Sequence, residues 1–464
     1  MRYNWVVQHK SRFKLGIMPT RAVKIAFPCC ENKSLILLTD LIFYIIFQAL
    51  EYNIARCEMK YLKRRLSNKI NNIANNFPVA ILTGARQVGK STLLQHEFPE
   101  YLYLSLDDFS LQEKVMRDPG SLWVGQERVI LDEVQKFPTL LEAVKIAVDR
   151  SNRRCRFILS GSANLLLMQE VTETLAGRAM YLELFPLTFG EEKEMLEGIN
   201  FHHVWQPDWQ ASEQELELID PLSYLLRGFF PPLLRLPGHE QVLTWLEGYI
   251  RTYLERDLRT LSQVDSLIDF RRLMQGIALR TGSILNQADV AKDCGLSHAT
   301  SHRYIRLLEV SHLLARVPAF SRSRKKRLVK SPKAFFLEPA VSVFLSGIHD
   351  EETLKKSREL GGYFETLVYL HLRAWCESQT PKPEIYYWRT VSGHEVDFVI
   401  ERGRKLLALE AKLTTQPSVQ DIRHLLLFLE EYPEAVRGVL VHAGSRLQWL
   451  HSRVVAVPWW WLDL

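Results

Sequence analysis

Nine consecutive residues carry the strongest chemical signal in the chain. Gly84, Ala85, Arg86, Gln87, Val88, Gly89, Lys90, Ser91 and Thr92 read GARQVGKST, a fit to GxxxxGK[ST]. The stretch lies between a strand-like apolar run, PVAILTG, and a helical one, STLLQHEF. Glycines at this spacing let backbone N–H groups turn inward around phosphate oxygens. Lys90 supplies a point charge to the β- and γ-phosphates of a nucleotide, and the Ser91 hydroxyl is a Mg²⁺ ligand. Such a loop needs a carboxylate on the metal side. Asp132 and Glu133, after the apolar VIL, meet that need: Asp132 to hold the Mg²⁺ shell, Glu133 to polarise the attacking water. The bland alternative is an acidic pair that caps the next element. The SGS that ends the following strand brings Ser160 or Ser162 beside the acids, where a hydroxyl can sense the γ-phosphate. Arg178, in TLAGRAMYLELFPLTFGE, is the candidate arginine finger, in cis or from a neighbouring subunit of a homo-oligomer; a lone arginine there is otherwise a cap partner.

A second constellation lies towards the other end of the chain. Glu365 sits in the helical GGYFETLVYLHLRAWCE, Asp397 in EVDFVI, and Glu410 and Lys412 in KLLALEAKL. Strand alternation puts Leu407, Leu409, Ala411 and Leu413 on one face and Leu406, Ala408, Glu410 and Lys412 on the other; Val396, Phe398 and Ile400 face opposite to Asp397. Carboxylates and an ammonium on otherwise apolar strands are costly to bury unless paired or bound to metal. In the catalytic reading Asp397 and Glu410 hold Mg²⁺, Lys412 orients a nucleophilic water or stabilises a pentavalent phosphate, and Glu365 shapes the surroundings or a second metal. In the bland reading the same groups form a structural salt-bridge network.

The elements that must position these groups follow from periodicity. Strand-like runs at 78–84, 101–108, 128–133, 155–162 and 179–185 alternate with helical ones, and the central strands are apolar throughout, which predicts a parallel sheet covered on both faces. Residues 190–250 read as helices and loops. The stretch 286–314 reads as helix–turn–helix, with Gly295 at the turn and Ser297 as N-cap; its second helix presents His298, Thr300, Ser301 and His302, then Arg303 and Arg306. SRSRKKRLVKSPK places seven Lys and Arg between Arg322 and Lys333, where a wing would lie, as a phosphate-contacting or merely solvated basic hairpin. From Gly361 a second α/β pattern runs in the order αβββαβ.

Residues 59–464 resemble the prokaryotic AAA+ ATPases with a GxRQxGKT-type P-loop and a C-terminal domain of unknown function related to PD-(D/E)XK nucleases. The strings that carry the likeness are LTGARQVGKSTLL, VILDEVQKFP, FILSGSANLLL, LAGRAMYLELFPLTFGE, YLERDL, YYWRTVSGHEVDFVIE and LEAK. The resemblance implies an AAA+ fold and ATP binding, and Glu365, Asp397, Glu410 and Lys412 fall where a PD-(D/E)XK core carries its charged residues. Glu338, in KAFFLEPAV, stands where the family more usually has Asp. The expected fold class is α/β: a P-loop AAA+ parallel sheet domain at 59–190, a helical lid or linker at 191–260, a winged-helix-like module at 261–345, and a PD-(D/E)XK nuclease-like α/β domain at 358–464. The expected activity is Mg²⁺-dependent ATP hydrolysis coupled to DNA, with a metal-dependent nuclease domain. The rivals are a nucleotide-controlled DNA-binding switch without nuclease activity, and a protein-remodelling ATPase with DPGSLWVGQ, around Trp123, as a substrate loop.

Composition narrows the setting. The chain has 464 residues, 47% hydrophobic and 24% charged, which excludes collagen-like and low-complexity classes and leaves room for several cores. Its six cysteines form no CxxC pair, so a zinc site or disulfide scaffold is not expected and a reducing, cytoplasmic setting is. Residues 1–58 hold eight Lys and Arg against four Asp and Glu, most of the net +6, so any nucleic-acid surface must be a local patch. Leu35–Leu50 is apolar but broken by Asp40 and Gln48 and falls short of the roughly 18–20 residues of a membrane span, so a membrane partner is not expected. Met59 opens MKYLKRRL, which resembles where relatives begin; residues 1–58 carry no motif and are expected to be a dispensable N-terminal extension, possibly not part of the native protein.

Overall fold

Five short apolar segments build the first sheet. In the computed structural model β1 (Val79–Thr83), β2 (Leu102–Ser105), β3 (Arg128–Asp132), β4 (Arg156–Ser160) and β5 (Ala179–Glu183) lie in the order β2-β3-β4-β1-β5, all parallel. The structure describes residues 60–161, 175–196, 200–252, 266–323, 325, 327 and 330–463. The expected extension 1–58, with its apolar run, lies outside them, as do Ser162, Arg324 and Lys326. Along β1 every residue is buried. Alternation sends Ala80 and Leu82 into a core with α1 (Ser67–Asn76) and α2 (Lys90–Glu97). Val79 and Ile81 go to the other face, against α3 (Phe109–Arg117) and α4 (Leu140–Arg150). Both faces are therefore covered, as an all-parallel sheet requires. Parallel pairing also collects the carboxyl ends of the strands on one edge, and there the phosphate loop, Asp132 and Ser160 meet.

Beyond the two-residue β6 (Gln214–Glu215) come α5 (Pro221–Arg227) and α6 (His239–Tyr249). Then follow α7 (Leu267–Ala278), β7 (Ser283–Ile284), α8 (Gln287–Asp293), α9 (His298–Val310), β8 (Leu314–Val317), β9 (Lys333–Phe336) and α10 (Pro339–Leu345). The strands form an antiparallel sheet in the order β7-β9-β8. Gly295 makes the turn between α8 and α9 at φ 64°, and Ser297 caps α9 by accepting the Thr300 N–H at 3.1 Å. Glu338 has a structural task. Its carboxylate accepts the N–H of Ala340, starting α10, and that of Phe229, and burial pushes its carboxyl up to about 7.

The last part is a seven-stranded sheet of β10 (Glu384–Arg389), β11 (Glu395–Arg402), β12 (Lys405–Lys412), β13 (Ala435–His442), β15 (Val454–Pro458), β14 (Arg446–His451) and β6, in that order. It exceeds the expected αβββαβ core by β14, β15 and the returning β6. One face packs on α11 (Leu360–Ser378) through Leu407, Leu409 and Ala411, the other on α12 (Arg423–Glu431) through Leu406 and Ala408. The β12 alternation is as expected; that of β11 is not. Val396 and Phe398 enter opposite cores, because the β10–β11 register slips between Tyr386 and Trp388. Such a bulge re-aims the residue inside it, here Asp397.

The basic segment between β8 and β9 is not a free wing. It adds backbone hydrogen bonds to β10 through Pro318, Phe320 and Tyr387. Arg322 pairs with Glu434 at 3.1 Å, and Arg327 forks onto Glu401 at 2.7 and 3.1 Å while lying over the rings of Phe320 and Tyr386. Lys330 donates to the Arg389 carbonyl and Lys333 is buried. The cations expected to meet phosphate instead fasten the middle of the chain to its last sheet; Lys325 is exposed.

At the far end Trp459 and Trp460 pack on Phe189, and Asp463 pairs with Arg65 at 2.8 Å and accepts the Gly190 N–H. The described residues belong to one compact unit, Phe47–Leu464, and among them no helix is long and apolar enough to cross a membrane. Arg327→Ala should cost about 2 kcal/mol in urea unfolding, since it strips two charge-assisted hydrogen bonds from Glu401. Arg322→Ala, at a largely exposed pair, should change stability by less than about 0.5 kcal/mol.

Candidate functional site

The loop between β1 and α2 is shaped by its backbone. Gly84 has φ 148°, and a Cβ there would stand 2.3 Å from the Leu184 carbonyl oxygen, so no side chain fits. Gln87 at φ 67° and Gly89 at φ 92° are left-handed, the kind of conformation that makes successive N–H groups converge on an anion. Ala85 and Val88 are buried and Thr92 is exposed; the Arg86 carbonyl accepts the Tyr249 hydroxyl of α6 at 3.4 Å. Lys90 opens α2 and folds back, donating to the Gly84 and Ala85 carbonyls at 2.9 Å each. Burial lowers its ammonium to about 8, against the opposing pull of Glu133 and Asp132. Its two carbonyl partners are neutral, so a phosphate oxygen would be a stronger acceptor for the same cation.

Asp132, at the end of β3, is the hub of the polar edge. One carboxylate oxygen accepts the Ser91 hydroxyl at 2.6 Å and the Tyr103 hydroxyl from β2. The other accepts the Ser160 hydroxyl from β4 and the Glu133 N–H at 3.1 Å. Ser160 thus stands beside the acidic pair and gives its proton to Asp132; Ser162 lies outside the described residues. Glu133 adopts left-handed backbone at φ 58° and accepts the Gln135 side-chain amide. Gly161 makes room for that amide, since a Cβ there would meet Gln135 Oε1 at 2.3 Å. Tyr103 and Gln135 escaped sequence reasoning. The only signal for Tyr103 was a tyrosine in the strand beside the acidic one.

Mg²⁺ fits this edge. A hard oxygen pair, the Ser91 hydroxyl and the Asp132 carboxylate, already stands together at the mouth of the loop. Arg178 does not join it. It precedes β5 and its carbonyl accepts the Val79 N–H, so it lies at the amino edge of the sheet, opposite the loop. There it forks onto Asp149 of α4 at 2.8 and 2.9 Å. A finger acting in cis is excluded by that placement.

The opposite end of β5 reaches the site. Glu183 pairs in register with Thr83, next to Gly84. Its carboxylate meets His312, at the end of α9, at 2.7 Å and Arg373 of α11 at 2.9 Å, joining three parts of the chain. Burial alone would raise the Glu183 carboxyl; His312 and Arg373 overcome it and hold the group at about 2.

Glu365, Asp397, Glu410 and Lys412 are brought together, but around a different cation. Lys333 of β9, 2% exposed, puts its ammonium 2.5 Å from Glu395, 3.2 Å from Glu365 and 3.2 Å from Asp397. The second Asp397 oxygen accepts the Ala411 N–H at 3.0 Å, and Lys412 pairs with Glu410 at 2.8 Å. Burial would lower the Lys333 ammonium, yet the Asp397, Glu365 and Glu395 charges hold it well above its usual value. Burial and then Asp397 push the Glu365 carboxyl up to about 8, and the same causes raise Glu410. Among the described residues no three His, Cys, Asp or Glu side chains are grouped to hold a metal ion. Where Mg²⁺ was expected at Asp397 and Glu410, the structure has the Lys333 ammonium beside Asp397 and the Lys412 ammonium beside Glu410. In the sequence Lys333 reads only as the last cation of the basic stretch that precedes β9.

Three family models match parts of the chain. Residues 76–192 match a family described as an AAA domain, 220–352 a domain of unknown function (DUF8612), and 360–462 another (DUF4143). An uncharacterized protein of Mycobacterium tuberculosis is 28% identical over 410 residues, 87% of this chain and 85% of its own. One from Haemophilus influenzae is 20% identical over 391 residues, covering 76% and 87%. Among solved structures, the Walker-type ATPase of Pyrococcus abyssi aligns at 18% identity and TM-score 0.43 over 61% of this chain and 96% of that one. The chain thus carries a P-loop ATPase domain, with ATP as the ligand the domain family supports.

The acidic cluster sets a pH dependence. Between the unfolded value of 4.5 and about 8, the folded chain keeps a proton on Glu365 that the unfolded chain releases. Stability should therefore fall as pH rises through that window. Melting temperatures measured from pH 5 to 8.5 should show the decline, and Glu365→Gln should flatten it.

Proposed function

We propose that the protein hydrolyses ATP with Mg²⁺ and uses the cycle to control a DNA-binding middle module, without nuclease activity in the arrangement described. The observation that carries the ATPase reading is the single hydrogen-bonded edge formed by Lys90, Ser91, Asp132 and Glu133. Lys90 exchanges its loop carbonyls for β- and γ-phosphate oxygens. Ser91 and Asp132 hold Mg²⁺, which when bound offsets phosphate charge. Asp132, fixed by Tyr103, Ser160 and the Glu133 N–H, is held in place, and Glu133 takes the proton of the attacking water.

The DNA reading rests on α9. His298, His302 and Arg306 lie exposed on one face at helical spacing, with Arg303 half-buried beside them. The order helix, strand, helix, helix, strand, strand across α7–β9 is that of a winged helix, in which the third helix enters the major groove. The docked basic segment contributes less to such a surface than its sequence promised. Lys333, seated among the carboxylates, favours a last sheet that serves as a docking partner over one that cuts DNA.

Glu133→Gln should bind ATP as the wild type does and lose turnover by at least about 100-fold, because an amide cannot accept the proton. Lys90→Ala should lose binding itself; wild-type turnover in Glu133→Gln, or wild-type ATP affinity in Lys90→Ala, would overturn the reading. Arg306→Ala with His302→Ala should weaken duplex DNA binding in fluorescence anisotropy and reduce its salt slope by about 0.9 per lost phosphate contact. Wild-type protein given Mg²⁺ or Mn²⁺ should leave DNA uncut.

A further inference from the structure

The phosphate loop is held from behind by a side chain with no place in its motif. Arg64 is 5% exposed. Its Nη1 donates to the Val88 carbonyl at 2.8 Å, and its Nη2 to the carbonyls of Phe185 at 2.7 Å and Pro186 at 3.2 Å. Its Nε stands 3.1 Å from Glu191 Oε2 in an ion pair buried on both sides. Glu191 is itself fixed: Oε1 accepts the Arg65 N–H at 2.7 Å and Oε2 the Thr188 N–H at 2.9 Å. The acceptors of the fork are main-chain carbonyls of two segments, the phosphate loop and the extension of β5. Arg64 therefore sets the distance between them.

We propose that Arg64 is a positioning residue for nucleotide binding, which aims the Gly89 N–H at the phosphates by holding the Val88 carbonyl outward. The proposal rests on the ATP reading above. In a trans peptide the C=O and the following N–H point in opposite directions. With the Val88 carbonyl held by Arg64, the Gly89 N–H of the same peptide is turned away from Arg64, into the hollow that the loop encloses. The other end of the loop leans on the same extension, because the Leu184 carbonyl is what bars a side chain at Gly84. Glu191 neutralises the guanidinium, so the contribution of Arg64 is geometric rather than a second positive charge. A lysine cannot reproduce it: one ammonium does not span two segments as a planar fork does.

The test measures Mg·ATP and Mg·ADP dissociation constants by calorimetry on the full chain, together with the melting temperature of the nucleotide-free protein. Arg64→Lys should weaken ATP and ADP alike by about 10- to 100-fold, the range of one to two charge-assisted hydrogen bonds. The two nucleotides respond together because they share the phosphates that the loop addresses. Glu191→Gln leaves the fork on its three carbonyls, so it should lower the melting temperature and keep both dissociation constants within about threefold of wild type, the range of a lost partner outside the loop. Arg64→Met, which removes every donor towards Val88 at similar length, is measured in parallel and should weaken both nucleotides at least as much, so that misfolding of one variant leaves the other to decide. Wild-type affinity in a folded Arg64 variant would overturn the positioning role, as would an equal affinity loss in Glu191→Gln. A wild-type chain that binds no ATP would overturn the ATP reading itself, and that result is separate from either.

Discussion

An ammonium cannot be buried without anions, and Lys333 is buried with its anions supplied by another part of the chain. Its partners Glu365 and Asp397 lie 32 and 64 residues further on. Removing two opposite charges from water is repaid only by close geometry and by hydrogen bonds that satisfy what remains. The structure provides these: Asp397 and Glu395 with the carboxyl of Glu365 around one ammonium, the Ala411 N–H on Asp397, and Lys412 on Glu410. Once Lys333 is so placed, β9 cannot leave β11 and β12, and the basic segment before it must run along β10. Docking of the middle part onto the last sheet thus follows from a local electrostatic requirement.

A second buried pairing ties that assembly to the nucleotide edge. Glu183 ends β5 beside Thr83, with one oxygen on His312 and the other on Arg373. The next residue, Leu184, stands against Gly84. The strand that frames the phosphate loop on one side is therefore the strand that grips α9 and α11 on the other. A displacement of the loop would reach both helices through that strand. Coupling of this kind needs no long pathway, because the elements share a single carboxylate.

Legibility in the sequence followed the range of the interaction. The phosphate loop, Asp132 and Glu133 could be read because their chemistry demands fixed residue types within one strand–turn–helix unit. The central strands β1, β3 and β4 could be read because strands buried on both faces are apolar throughout. Ser160 could be placed beside the acids from the order of the strands, while its hydrogen bond to Asp132 is what the register adds. Arg178 was misplaced for a simpler reason: a residue before a parallel strand lies at the edge opposite to one after it. Asp397 was located, but period-two alternation failed at the bulge. Lys333, Arg64 and Tyr103 act on residues remote in sequence, and no local spacing announces them.

The pairing of Arg65 with Asp463 has a bearing on how the protein is made. A ribosome delivers Arg64, Arg65, the phosphate loop and all five strands of the first sheet early. Asp463, which receives the Arg65 side chain and the Gly190 N–H, follows Arg65 by 398 residues. Lys333 likewise waits for Glu365, and Glu183 for Arg373. Until these partners emerge the nascent sheet holds cations and amide donors exposed, and the segment that closes over Phe189 with Trp459 and Trp460 is what covers them.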